Sequence, residues 1–97
     1  MIVQRNIVKM KPQNHDMVVE MLKAARAGLD DPNSMRILTS FIGVPYTTIV
    51  YELTTENLEE SRSSWDEWYA QPESEAFLEK WIPLIEDTKD EYYTIEA

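Results

Sequence analysis

The sequence predicts an α+β fold of the ferredoxin-like, split βαβ type: a four-stranded antiparallel sheet with helices on one face. Three observations lead there. The apolar periodicities run in the order β-α-β-β-α(α)-β along the chain, which is the element order of that fold. The chain has 97 residues, so residues 1–97 are read as a single domain. Neither side of the predicted strands is wholly polar, whereas a sheet with one wet face would show a clean alternation. The second face is therefore expected to be covered as well, and a second copy of the chain is the cover expected.

The first strand is read over Ile2–Met10, with Ile2, Val3, Ile7, Val8 and Met10 and no breaker before Pro12. Asn14 is placed to cap a helix running through HDMVVEMLKAARAGL. There Met17, Val18, Met21, Leu22, Ala25 and Leu29 recur at three- and four-residue steps and form one apolar face. Gly28 and the run DDPN stop it. Met35–Val44 is rich in apolar and β-favouring residues, GVPY supplies a turn, and Tyr46–Leu53 is the clearest strand of the chain. A short loop between these two strands predicts an antiparallel hairpin. Asn57 followed by Glu60 has the spacing of a capping box and opens a helix on which Leu58, Trp65 and Trp68 share a face. Gln71-Pro72 breaks that helix, and Pro72 suits the first position of the next. On that second helix Ala76, Phe77, Trp81, Leu84 and Ile85 keep the helical step until Pro83 kinks or ends it. EYYTIE, Glu91–Glu96, reads as the last strand.

Composition narrows the function. The formal charge is -9, from 18 acidic and 9 basic residues. Nucleic acid and anionic membrane surfaces are not expected as partners, because both reward clustered Lys and Arg. There is no cysteine, which excludes disulfides, thiol catalysis and zinc–thiolate sites. The opening MIVQRNIVKMK lacks a long apolar core and a small-residue cleavage site, so no signal peptide is expected. No apolar run approaches the roughly 20 residues that span a bilayer. A cytoplasmic location is the resulting expectation. No Gly-rich phosphate loop is present, and the single histidine, His15, sits in a polar first turn between Asn14 and Asp16, where exposure without a role is expected. The acids of the two later helices, such as Glu59, Asp66 and Glu79, are dispersed around them and read as solvated surface, so no metal site is expected. Arg5 and Arg36 stand on strands; if buried they need a carboxylate, and Glu52 is the candidate.

The segment VYELTTENLEESRSSWDEWYAQPESEAFLEKW combines a strand ending in Tyr-Glu, a capped helix, a Trp, a Pro-containing break and a Phe on the next helix. In this pattern the chain resembles the dimeric α+β barrel proteins, which include NIPSNAP-like domains, antibiotic-biosynthesis-monooxygenase domains and their heme-degrading relatives. The resemblance spans nearly the whole chain. It implies a homodimer in which two sheets face each other to form the barrel. The heme-degrading branch uses an Asn on the first strand, a Trp on the second helical segment and a His four residues after the Phe. Asn6 and Trp68 stand at the first two positions, but Trp81 stands at the third, so heme degradation is not expected and no cofactor is assigned.

All three tryptophans, Trp65, Trp68 and Trp81, fall within 17 residues. Aromatics at helical spacing usually fill a core, and Trp65 and Trp81 are read that way in part; Trp68, next to the helix break, is read as pocket wall. The candidate ligand pocket comprises Asn6 as polar handle with Trp65, Trp68, Phe77 and Trp81 as walls. Tyr46, Tyr51, Tyr92 and Tyr93 are read as strand residues in core or dimer contacts. Two functional readings follow: a homodimeric protein binding a small apolar ligand, and a cofactor-free monooxygenase or isomerase acting on an aromatic or lipid-like molecule. An open cavity with Asn6 and a tyrosine hydroxyl on one surface favours the second.

Overall fold

The computed structural model describes residues Met1–Ala97. Its organising element is β1 (Ile2–Met10). It pairs antiparallel with β3 (Thr48–Thr55) on one side and with β4 (Ile85–Thr94) on the other. β2 (Met35–Thr39) pairs antiparallel with the outer side of β3, giving the order β2-β3-β1-β4. Three helices, α1 (His15–Ala27), α2 (Leu58–Ala70) and α3 (Pro72–Trp81), cover one face. This is the ferredoxin-like split βαβ arrangement. No helix is long and apolar enough to cross a membrane.

The two-residue period of a strand sends successive side chains to opposite faces. On β1 the residues Gln4, Asn6, Val8 and Met10 are all buried beneath the helices, whereas Val3, Arg5 and Ile7 on the other face are half-buried and Lys9 is exposed. Val8 and Met10 join Ile49 and Met35 of the neighbouring strands and Val18 and Leu22 of α1 in the hydrophobic core. Val18 and Leu22 lie four residues apart, one helical turn, so both reach the same spot on the sheet. Truncating Leu22 to Ala would cost about 2–5 kcal/mol, the usual range for a buried leucine.

Several boundaries differ from the sequence-based expectation. β2 ends at Thr39 rather than Val44, and β3 begins at Thr48 rather than Tyr46. The connection is an eight-residue loop over 40–47, not a tight turn. Gly43 turns there with φ 85, a conformation that favours glycine, and Pro45 has no N–H to give to a ladder. Phe41 and Ile42 are consequently 93% and 81% exposed, and Tyr46 lies on the loop instead of a strand. β4 starts at Ile85, six residues before the expected Glu91, so Ile85 belongs to the sheet and not to the preceding helix. Its first half, Glu86–Asp90, carries little β-propensity; what makes it a strand is backbone pairing with β1, as in Lys9↔Asp87 and Ile7↔Lys89.

The helix ends also differ in detail. A 3-10 turn over Pro12–Asn14 precedes α1, and the Asn14 side chain donates to the Leu84 carbonyl instead of capping the helix. Met17 points to solvent, and so does Leu58 in the first turn of α2. Asn57 does cap α2: its Oδ1 accepts from the Glu60 N–H at 2.8 Å, while the Glu60 carboxylate accepts from the N–H of Glu56 rather than that of Asn57. Gln71 is extended, with ψ 140, and Pro72 opens α3. The buried Ser74 hydroxyl sits across the Tyr69 and Gln71 carbonyls at 3.1 and 2.7 Å, tying the two helices at their junction.

The face of the sheet away from the helices holds an ion triad. Glu52 is 2% exposed and stands between its cross-strand partners Arg5 and Arg36. Arg5 Nε donates to Glu52 Oε2 at 2.8 Å, and Arg36 Nε donates to Oε1 at 3.1 Å with a further bond from the Arg36 terminal nitrogen. The Arg5 guanidinium also lies 4.9 Å from the centroid of the Tyr93 ring, a cation–π distance. Burial alone would push the Glu52 carboxyl up; the hydrogen bonds from Arg36 and Arg5 outweigh it and hold the carboxyl below the ordinary glutamate value. A carboxyl depressed in the folded state adds stability above its unfolded value and loses it as pH falls through the folded one. The wild type should therefore lead Glu52→Gln in melting temperature at neutral pH. That lead should shrink once the pH drops below the ordinary value of 4.5; a lead that stays constant down to about pH 3 would remove charge as the basis of the triad.

Candidate functional site

The helix-side surface of the sheet changes character along β1. Where Val8 and Met10 meet α1 the packing is closed. Where Gln4 and Asn6 face α2 and α3 it opens into a cavity of about 510 Å³, within the usual range for small-molecule sites. All five residues singled out from the sequence, Asn6, Trp65, Trp68, Phe77 and Trp81, line this one cavity.

The wall is a chain of aromatic rings that crosses the helix break. Trp68 meets Trp65 edge-on at 6.0 Å between centroids and Phe77 edge-on at 5.4 Å, and Phe77 stacks on Trp81 at 5.4 Å. The Gln71-Pro72 break lets the end of α2 and the middle of α3 present these rings to the same space. Edge-to-face and offset contacts of this kind add about 0.5–1.5 kcal/mol each beyond area burial. The reading of Trp65 and Trp81 as core residues needs correction. The fully packed core contains no aromatic ring, and all three tryptophans are only half-buried. Trp81 touches the edge of the core, but Trp65 is held by a polar contact: its Nε1–H donates to Gln4 Oε1 at 2.6 Å.

The floor is polar. Asn6 is 4% exposed, and its Nδ2 meets no acceptor of the chain. A buried amide N–H without a partner is costly. Tyr51 stands directly opposite Asn6 on β3, and Asp90 directly opposite on β4. The three form one transverse row facing the cavity, which both Tyr51 and Asp90 line. Burial first, then the negative charge of Asp90, push the Tyr51 hydroxyl well above its ordinary value, so it keeps a proton that it can donate. Gln4 was legible from Asn6 by the two-residue strand period. Asp90 was not, because its place depends on the early start of β4.

His15 does not belong to this site. It is 7% exposed rather than solvent-facing as expected from its polar neighbours. Its ring stacks on Tyr46 with centroids 3.9 Å apart, and Nδ1 lies 3.1 Å from Asp16 Oδ1. The stack arises because the 40–47 loop folds back onto the start of α1, a long-range contact with no local signal. No three His, Asp or Glu side chains are grouped to hold a metal ion. The position four after Phe77 is an indole stacked on that phenyl ring, with no free nitrogen lone pair to offer iron there.

No family model matches the chain, and no curated protein matches it. Solved structures do. A NIPSNAP family protein of unknown function from Agrobacterium tumefaciens, Atu4242, superposes with a TM-score of 0.79 at 18% identity, over 96% of this chain and 86% of its own. A putative antibiotic biosynthesis monooxygenase from Deinococcus radiodurans gives 0.73 at 11% identity, over 100% and 94%. SnoaB from Streptomyces nogalater, described as a cofactor-independent oxygenase and solved as a point mutant, gives 0.63 at 13%, over 99% and 93%. At these identities the likeness establishes the fold.

A buried amide without a partner costs the strand that carries it. Replacing an unpaired buried amide with an apolar, β-branched side chain removes the desolvation cost and improves strand propensity. Asn6→Val should raise stability by about 1–2 kcal/mol, read as a higher melting temperature. A lower melting temperature would mean that Asn6 supports the sheet.

Proposed function

We propose that this protein binds a small, flat, largely apolar ligand in the cavity between sheet and helices, and that it does so as a homodimer. The observation that carries the binding reading is the unpaired Asn6 amide at the floor of a roomy aromatic-walled cavity. A fold keeps such a group at a cost in stability, and a ligand oxygen would satisfy it. Trp68 is central to the wall, touching both Trp65 and Phe77. Trp68→Ala is expected to lower affinity for flat apolar ligands about tenfold or more, the scale of an aromatic anchor in a pocket, in a ligand-observed NMR screen of wild type and variant. Equal affinity in both would remove the wall from the binding surface. Native mass spectrometry of the purified protein would identify what co-purifies.

The dimer reading rests on the other sheet face. Half-buried Val3, Ile7 and Val50 and exposed Leu38 and Tyr93 surround the Arg5–Glu52–Arg36 triad there, and a second copy would take this apolar surface out of water. Sedimentation equilibrium at micromolar concentration should give about twice the 11.4 kDa chain mass. Ile7→Asp should return the monomer. A wild-type monomer would defeat the dimer reading and leave the cavity reading in place.

A second reading, a cofactor-free oxygenase or isomerase, is favoured by the Tyr51–Asn6–Asp90 row. Two donors and one carboxylate side by side can hold a carbonyl oxygen and accept a proton from the adjacent carbon. SnoaB, of like fold, is a cofactor-independent oxygenase. Faster loss of the α-proton NMR signals of 2-tetralone in D2O, abolished by Asp90→Asn, would support proton abstraction at this row. Exchange at the buffer rate would leave binding as the function.

A further inference from the structure

We propose that the cavity selects uncharged flat aromatic ligands that present a carbonyl oxygen beside an N–H group, as aromatic carboxamides and lactams do, and discriminates against aromatic carboxylates. The inference rests on the ligand-binding reading above and assigns that ligand its chemistry.

Charge comes first. None of the side chains that line the cavity is Lys, Arg or His, and Asp90 is the one acid among them. The rest of the chain adds to this, with a formal charge of -9. A carboxylate entering the cavity would leave water for a surface with no cation to pair it and one like charge beside it. Desolvation and repulsion then act in the same direction. The two strand arginines, Arg5 and Arg36, are on the opposite face of the sheet and already engaged by Glu52.

Hydrogen-bond pattern comes second. Tyr51, Asn6 and Asp90 belong to three adjacent strands at matched register, so their backbones are spaced by roughly 5 Å each. Across the row Tyr51 and Asn6 can each donate, and Asp90 alone is restricted to accepting. The Asn6 Nδ2 needs an acceptor and has none in the chain. The Tyr51 hydroxyl is a second donor. A carboxylate such as Asp90 can only accept. Gln4 adds only donors to this surface, because its Oε1 is taken by the Trp65 indole. The complementary ligand edge is an acceptor over Asn6 and a donor over Asp90. A primary carboxamide or a lactam carries both on one small planar group, and the ring attached to it would lie against Trp68 and Phe77. An ester supplies the acceptor alone, and a carboxylate supplies acceptors with the wrong charge.

The test is calorimetric titration of the full chain with three ligands sharing one ring system: 2-naphthamide, methyl 2-naphthoate and 2-naphthoate, at neutral pH. The amide should bind tightest, with the ester about tenfold weaker for want of a donor and the carboxylate weaker still. Asp90 is exposed, so Asp90→Asn should fold normally; it should narrow the gap between amide and carboxylate by about threefold or more. Asn6→Ala should weaken amide and ester alike. A carboxylate that binds as tightly as the amide, an ester that matches the amide, or a gap untouched by Asp90→Asn would overturn the inference while leaving a ligand-binding cavity. Failure of all three ligands to bind at millimolar concentration would overturn the cavity reading and this inference together.

Discussion

Everything in this molecule is arranged around the constraint that β1 must serve two surfaces at once. As an interior strand it is paired along both edges, so its backbone is satisfied and its side chains carry all the variation. One face supplies Arg5 to the Glu52 triad between half-buried Val3 and Ile7. The other face is divided along its length, Val8 and Met10 closing a core with α1, and Gln4 and Asn6 leaving an open, polar floor under α2 and α3. A strand built for stability alone would carry apolar residues at all four helix-facing positions. The departure at Gln4 and Asn6 is local, and it lies where the helices hold their rings apart.

The helix pair α2–α3 explains how such a space stays open without collapse. Pro72 ends the i→i−4 ladder and redirects the chain, and Ser74 fixes the corner by reaching back to two carbonyls. The corner sets the angle at which Trp68 meets Phe77. Trp65 is anchored from below by Gln4, so the first ring of the wall cannot fall into the void. The aromatic side chains are thus braced against one another and against one polar contact, while the close-packed aliphatic core centres on the Val8–Met10 end of β1 and meets the cavity at Leu22 and Met35.

Much of this was readable from residue order. β1 ran from Ile2 to Met10 as its pattern implied, Asn57 capped α2, and the Gln71-Pro72 break separated two helices. Pattern and resemblance single out Asn6, Trp65, Trp68, Phe77 and Trp81, and the fold brings them to one cavity. Arg5 and Arg36 needed a carboxylate, and Glu52 was the residue opposite both. What escaped was non-local. Glu86–Asp90 has the composition of a loop and is a strand because β1 offers it a free edge. Without that pairing Asp90 has no address, so the acidic end of the polar row was invisible. His15 looked solvated beside Asn14 and Asp16 because nothing nearby in sequence announces that Tyr46 folds over it. The core assignment of Trp65 failed for a different reason: helical spacing tells which residues share a face, not whether that face meets another surface closely enough to exclude water.

The placement of the tryptophans has one more consequence. Every indole in the chain borders the cavity and none lies in the aliphatic core or on the loop over 40–47. The intrinsic ultraviolet emission of the protein is therefore a local reporter. It will register polarity and occupancy between α2, α3 and the sheet, with Trp81 alone also sensing the edge of the aliphatic core. A change in emission on adding a ligand, with backbone circular dichroism unchanged, would then place the event in the cavity wall.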